Sequence, residues 1–451
     1  MSDADIFTAD FRTTPWWWED CASADEPPAD LPQSVDVLVV GGGYAGVHCA
    51  LTLAEGGRDV LVLDGEQLGW GASTRNGGQV TGGVNVGKIP GGGNATAGAA
   101  EARRHAVLRD AALAMRHLED TMERHQIQCG WRKTGRLTAL WTRDHWTGWE
   151  KRLDDLNRYS EADARMVDPA SMREEIGSDF YRGGVLIGRA GHLQPAQLYA
   201  GLLAAARRAG AKAQGNTRVL AITRLRDGDW QVQTSRGTLR ATTVVVATNG
   251  YTGRLVGGLH RQVIPVTTHM IATEKLPEDL ARSLMPRNRA VSETRRVINH
   301  FRLSPDGRRL LFGGRARFFP AKERVTAAIL HRAMVERFPQ LAGVRITNSW
   351  GGRVAVPFDY MPHIGQHDGI HYALGCNGSG VVMMNWLGHG IARKILDGTS
   401  ERVNAFDTGT MPTHPLYTGT PWFLPIVGTY YQARDWLDRR LDALRPIQQR
   451  S

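Results

Sequence analysis

The chain has 451 residues, 42% hydrophobic and 22% charged, roughly three domains' worth of chain at about 150 residues each. Those fractions exclude wholesale disorder, a collagen-like fibre and a small disulfide scaffold. The net charge of +10 comes from 48 Arg and 7 Lys without a run of five basic residues, so no nucleic acid is expected as partner.

The first residues, MSDADIFTADFRTT, lack the basic and apolar regions of a secretory signal, and no run of 18 apolar residues follows anywhere. A cytoplasmic protein with no transmembrane segment is expected. Residues 1–33 read as an irregular lead-in, broken by Pro27, Pro28 and Pro32, with Trp16, Trp17 and Trp18 as a strap packed on the body.

Val35–Val40 is a nearly continuous β-branched run, the character of a strand buried on both faces in a parallel sheet. A glycine turn follows, then a helix of small residues ended by Gly56 and Gly57, then a second apolar run, Val60–Leu63, stopping at Asp64. This is a βαβ unit. Its turn, Gly41-Gly42-Gly43-Tyr44-Ala45-Gly46, satisfies G-x-G-x-x-G in the context that gives the pattern meaning. Gly41 permits the tight turn, Gly43 admits a pyrophosphate to the backbone, and Gly46 lets helix pack on strand. Tyr44 and Ala45 open a helix whose N-terminal amides and dipole favour phosphate. Asp64 is placed to accept from ribose hydroxyls. The unit is expected to bind a dinucleotide, and the fingerprint alone does not choose between FAD and NAD. Glycine is enriched, 52 of 451 residues or about 11.5% against about 7% on average. The excess clusters early, at Gly77-Gly78, Gly82-Gly83 and Gly91–Gly93 as well as in the turn.

Residues 100–126 carry apolar positions at spacings of three and four and predict a long amphipathic helix. Residues 130–190 mix short strands and turns. Pro195 to Ala209 predicts a helix, with Pro at its start and Gly210 after it. Strands are expected at 219–222, 230–234 and 242–247, and strand-like segments dominate 260–350, interrupted by a helix at 323–338. Residues 370–397 return to strand, glycine turn and helix. His363, His367 and His371 are spaced like ligands on one helix face, but Pro362, Gly365 and Gly369 favour strand-turn-strand, and no metal is expected. Cys21, Cys49, Cys129 and Cys376 form no CxxC pair, which argues against a zinc site and a disulfide framework.

The segment Gly69-Trp70-Gly71-Ala72-Ser73-Thr74-Arg75-Asn76-Gly77-Gly78-Gln79 resembles the GAS-x-RNGGQ segment of FAD-dependent oxidoreductases of the D-amino-acid oxidase superfamily. More narrowly, it resembles the gamma-glutamylputrescine oxidase branch. Val266–Glu274, Phe301–Gly314, Ser349–Gly365 and the turn Gly375-Cys376-Asn377-Gly378-Ser379-Gly380 resemble the same branch in the same order. The resemblance implies an α/β plus α+β fold, a Rossmann-like FAD-binding domain in discontinuous segments with an inserted mixed-sheet substrate domain. The pieces expected are 34–100, 190–255 and 354–400 for FAD, 101–189 and 256–353 for substrate, and 401–451 as a C-terminal extension.

The resemblance also implies roles. Ser73, Arg75, Asn76, Gly77, Gly78 and Gln79 would line the isoalloxazine, Val219 would meet adenine, and Ala247 would lie near the ribitol or diphosphate. Gly375, Asn377, Gly378, Ser379 and Gly380 would form the second flavin turn. Arg75 and Val354 stand about where some relatives carry a covalently linking His or Cys, so the FAD is expected to be non-covalent. The implied chemistry is oxidation of an amine or amino-acid C–N bond. Hydride passes to flavin N5, the imine is hydrolysed, and O2 takes the electrons to give H2O2. Candidate substrates are gamma-glutamylputrescine-like amines, N-methyl amino acids and D-amino acids. Strand alternation puts His300 and Arg302 on one face, where Arg302 could hold a carboxylate and His300 the amine. Tyr251 and Trp350 are candidates for an aromatic wall, with core packing the alternative for Trp350. Leu311 stands near the position of an oxygen-activating Lys, leaving a dehydrogenase with a quinone or carrier-protein acceptor as one alternative. A flavoprotein that binds and modifies tRNA is another.

Overall fold

The computed structural model describes residues 6–21, 29–82, 97–409 and 411–444. Gly83 and Gly91–Gly93 lie outside them. Two large sheets form, each with helices packed on one face.

The nucleotide sheet runs Asp407–Gly409, His363–His367, Ile370–Leu374, Gly237–Val246, Ser34–Val40, Val60–Leu63, Lys212–Gln214. Ser34–Val40 is central and parallel to both neighbours, Val37 opposite Thr243 on one side and Val60 on the other. Val37, Leu38 and Val39 are fully buried, as a strand covered on both faces requires. Each such side chain contributes about 1.5–3 kcal/mol by leaving water. The helices Tyr44–Glu55, Ala97–Arg124, Pro195–Arg208 and Gly380–Asp397 cover one face in a single apolar cluster. The Pro195–Arg208 helix starts cleanly because the Gln194 side chain accepts from the amides of Ala196 at 2.6 Å and Gln197 at 3.0 Å.

The second sheet is mixed and carries the long antiparallel pair Val263–Thr273 and Ile346–Pro357, followed by Leu310–Gly314, Asn299–Leu303 and Ala290–Glu293. One face packs on the helices Glu278–Leu284 and Glu323–Arg337, where the buried carboxylate of Glu293 pairs with Arg337. Its other face, bearing Met270, Ala272, Leu311 and Trp350, packs toward the nucleotide domain through Trp16, Trp17 and Ala196.

Several boundaries differ from the sequence expectation. Residues 1–33 are not irregular throughout, because Phe7–Arg12 adds a parallel strand beside Ile346–Pro357, and Trp16–Trp18 form a short 3-10 helix. Trp17 is fully buried and its Nε1 donates to Asn76 O at 2.8 Å. The Ala97–Arg124 helix, assigned to the substrate domain, belongs instead to the core of the nucleotide domain, since its apolar stripe meets the Tyr44–Glu55 and Gly380–Asp397 helices. Residues 401–451 are not one appendage. Asp407–Gly409 extends the nucleotide sheet, whereas the Leu424–Leu444 helix is pinned to the substrate domain. The carboxylate of Asp435 accepts from the amides of Arg296 at 3.1 Å and Val297 at 2.9 Å, and its carbonyl accepts from Trp141 Nε1 at 3.0 Å. His363–His367 and Ile370–Leu374 are strands of one hairpin, so the three histidines there share no helix face. Among the described residues no helix is long and apolar enough to cross a membrane.

Candidate active site

A cavity of about 1070 Å³ opens above the carboxyl ends of the central parallel strands and continues between the two sheets. That is just above the roughly 300–1,000 Å³ range of small-molecule sites, room for a large ligand. Its floor is the first glycine turn. Gly41 has φ +107°, open to glycine at no steric cost, and a Cβ on Gly46 would lie 1.9 Å from Gly41 O. Gly41, Gly43, Tyr44 and Ala45 line the cavity, while Gly46 lies behind it as the contact between turn and helix. Ser73 Oγ accepts from Tyr44 N at 2.9 Å, and the amides of Gly43 and Ala45 have no partner among the described residues. They are the donors a pyrophosphate would take.

At one end sit Asp64, Arg218 and Val219. The Asp64 carboxylate accepts from Gly42 N at 2.7 Å and Glu66 N at 3.0 Å, which fixes it on the cavity wall. Burial raises its pKa despite those bonds. Ala247, Thr248 and Asn249 follow, and Asn249 Oδ1 accepts from the amides of Gly375 at 3.0 Å and Cys376 at 3.3 Å. At the other end the lining is Trp70, Arg75, Tyr251, Thr267, His269, Glu323 and Gly351–Arg353. Arg75 donates through Nε to Trp70 O at 2.6 Å, with its guanidinium 4.6 Å from the Trp70 ring centre and 4.8 Å from that of Trp18. It is a stacked, enclosed cation whose pKa burial lowers. Tyr251 Oη accepts from Arg353 N at 3.3 Å.

Other expected residues are placed differently. Asn76 spends its side chain inside its own loop, donating to Ser73 O at 2.8 Å and accepting from Gly78 N at 2.8 Å. Gln79 Nε2 donates to Val291 O at 3.0 Å and so ties the loop to the substrate sheet. Neither side chain lines the cavity. Gly77 and Gly78 face His300 and Arg302, a Cβ on Gly77 falling 3.1 Å from His300 and one on Gly78 falling 2.8 Å from Arg302. The turn Gly375–Gly380 also stands back from the lining. Asn377 Nδ2 donates to Tyr360 O at 2.8 Å, Gly378 has φ +86°, and Ser379 makes no side-chain cap to the helix that Gly380 opens.

Two catalytic candidates require correction. Arg302 shares a strand face with His300, but it is 1% exposed and donates to Leu303 O at 2.9 Å, Gly78 O at 3.1 Å and Leu193 O at 2.7 Å. With Nε and Nη1 so committed, Nη2 buried without a hydrogen-bond partner among the described residues, and the side chain outside the cavity lining, the guanidinium acts as a brace. Trp350 is 1% exposed and donates to Arg75 O at 2.8 Å, so it packs behind the cavity and is no aromatic wall. His300 keeps accessible surface, and its side chain makes no hydrogen bond among the described residues. Enclosure, with Arg136 nearby, pushes its pKa down to about 4, so the ring is neutral with a free acceptor nitrogen.

Sequence reasoning missed a cluster just beyond the Leu310–Gly314 strand, outside the cavity lining. Arg315 follows Gly314, whose register partner is the cavity residue His269. Its guanidinium has no ion-pair or hydrogen-bond partner among the described residues and faces Tyr360 and Tyr431, whose hydroxyls bond each other. Tyr431 comes from the C-terminal helix, so no local pattern announces the group.

A sequence model described as FAD dependent oxidoreductase, DAO, matches residues 36–394. The chain belongs to this family. It is 32% identical to gamma-glutamylputrescine oxidoreductase of Escherichia coli (strain K12) over 415 residues, covering 89% of this chain and 93% of that one. It is 30% identical to the probable oxidoreductase OrdL of Haemophilus influenzae, covering 86% and 88%. In fold it is similar to L-proline dehydrogenase from P. horikoshii, with TM-score 0.68 at 19% identity over 83% of this chain and 96% of that one. Glycine oxidase from Geobacillus kaustophilus gives TM-score 0.65 at 20% identity, over 83% and 98%. The cavity fits the family's cofactor on its own chemistry. Unpartnered turn amides suit a pyrophosphate, a backbone-anchored carboxylate suits ribose, and the wall between the sheets has room for a flat ring system. The protein is an FAD-dependent oxidoreductase.

Proposed function

We propose that the enzyme oxidises the C–N bond of an amine that also bears a carboxylate, such as a gamma-glutamyl amine, an N-methyl amino acid or a D-amino acid. The observation that carries this reading is Arg315, an enclosed cation without an anion among the described residues, one residue past the strand partner of the cavity residue His269 and flanked by two tyrosines. A guanidinium presents a fork of donors that matches a carboxylate, and leaving it unpaired in an enclosed site is costly. When bound, FAD supplies the acceptor for the hydride leaving the carbon that bears the nitrogen. The chain's own residues do the rest. Arg315 holds the carboxylate, His300 accepts from the neutral amine N–H and turns its lone pair toward the breaking C–H bond, and Tyr251 walls the cavity. Such orientation accounts for much of the rate without a strong protein acid or base. The imine so formed takes up water and yields a carbonyl compound and the released amine or ammonia.

The FAD is non-covalent in this reading, since Arg75 and Val354 offer neither a thiolate nor an imidazole. Oxygen is the acceptor and hydrogen peroxide the product, in the cytoplasm. A quinone or carrier protein is the second reading. It is favoured by the C-terminal segment, where Trp422 is 57%, Ile426 66% and Leu444 81% exposed.

Steady-state assays on paired amines with and without a carboxylate test the proposal, with peroxide measured alongside. Hydrogen bonds to a charged group contribute about 1.5–3 kcal/mol, so Arg315→Met should raise KM roughly 10- to 100-fold for the carboxylate-bearing member only. An equal effect on both members, or none, rejects the carboxylate assignment. Turnover with a quinone but no peroxide in air favours the second reading.

A further inference from the structure

Three histidines converge outside the cavity lining. His48 comes from the Tyr44–Glu55 helix, His117 from Ala97–Arg124 and His389 from Gly380–Asp397, and one ring nitrogen of each lies within 4.8 Å of the other two. His48 Nε2 and His117 Nε2 stand 2.7 Å apart, and the His117 and His389 ring centres are 4.2 Å apart. We propose that this cluster is a binding site for a divalent transition metal of the zinc type, independent of the oxidation reaction.

The outer atoms of the cluster prepare it for that role. His48 Nδ1 lies 3.0 Å from Asn385 Oδ1, and an amide oxygen only accepts, so the ring proton sits on Nδ1 and the Nε2 lone pair points into the cluster. His389 Nδ1 lies 3.2 Å from Thr52 Oγ1, which leaves its Nε2 available. Thr52 lies one turn beyond His48 and Asn385 one turn before His389, so each helix supplies a ligand and a residue that orients the other helix's ligand. A metal binds each ring as a neutral imidazole through the nitrogen that faces the cluster. Zinc–nitrogen bonds of about 2.0–2.1 Å in a tetrahedron set ligand nitrogens about 3.3 Å apart, so His48 and His117 need only part slightly. His48 is fully buried, whereas His117 and His389 are half-buried, with the Trp386 ring centre 5.5 Å from that of His117 and 5.8 Å from that of His389. Arg124 and Arg393 lie near enough to oppose added positive charge, which sets the affinity below that of a thiolate site. A metal there would tie together the helix that carries the phosphate turn and two neighbours that pack on it.

The test uses the FAD-loaded enzyme, stripped with a chelator, dialysed and titrated with Zn2+ by calorimetry, with metal content and melting temperature measured in parallel. One Zn2+ per chain and a raised melting temperature are expected. His117→Gln and His389→Gln should each weaken binding at least 100-fold, and Asn385→Ala about 10- to 100-fold, with flavin content unchanged. If the wild type takes up no Zn2+, or takes up as much in the His117→Gln/His389→Gln double variant, the histidines are a hydrogen-bonded packing cluster and the proposal fails.

Discussion

Arg302 donates from Nη1 to the carbonyls of Gly78 and Leu193, whereas Arg315, just past the end of the neighbouring strand, has no anion to meet among the described residues. The two arginines are alike on the page of letters, and only their surroundings separate a brace from an anchor. Arg302→Met should therefore lower the melting temperature and flavin retention by leaving buried carbonyls short of a donor, at about 1–3 kcal/mol, with KM of the remaining holoenzyme unchanged. Thermal melts and flavin-to-protein absorbance ratios read this directly, and a KM rise would restore Arg302 to the substrate site. His300 supplies a second prediction. With its pKa pushed down to about 4, it stays neutral through pH 5–9, so the acid limb of kcat/KM follows protonation of the substrate amine. In His300→Asn the limb should stay within about half a unit of its wild-type position as rate falls, and a larger displacement would assign it to the histidine.

At the level of elements, the strand Ser34–Val40, its glycine turn and the helix after it were legible because three local rules agree there: a β-branched run, glycines at turn positions, and small residues where helix meets strand. The resemblance of Gly69–Gln79 to a flavin segment likewise located a loop that does lie between the sheets. What stayed hidden depends on distant pairing. Phe7–Arg12 has no alternation that marks it as an edge strand, and its partner lies at Ile346–Pro357. His48 and Asn385 meet across 337 residues and Tyr431 reaches Arg315 from the last helix, which no spacing rule foresees. Within the phosphate turn the local rules are strict enough for a sharp test. A methyl on Gly46 would meet Gly41 O at 1.9 Å, so Gly46→Ala should fold from the outer helices and second sheet yet purify nearly colourless. Retention of wild-type flavin by that variant would move the cofactor off this turn.

The whole molecule joins its sheets through buried polar contacts, and these set its response to acid. His192 is 1% exposed, donates to Asn288 O at 2.9 Å, and has its pKa pushed down to about 3 by burial, with Arg302 nearby. His371 is lowered to about 4 by burial, with Lys394 next. Their folded pKa values lie below the unfolded value near 6.5, so the stability they contribute is complete above pH 6.5 and is lost as pH falls toward 4. At pH 5 the fully buried His192 alone costs about 2 kcal/mol, and His192→Gln should flatten the fall in melting temperature between pH 6.5 and 5. A wild-type melting temperature unchanged over that range would contradict the burial assignment. The proposed activity requires that the cavity between the sheets hold a flavin that an amine can reduce. The measurement that bears on it most directly is anaerobic mixing of the purified, FAD-loaded enzyme with a panel of carboxylate-bearing amines while the flavin absorbance is followed. Loss of the yellow band with at least one of them, and its return on admitting air, is the predicted result. A protein that takes up no FAD, or whose bound FAD stays oxidised with every amine, would contradict it.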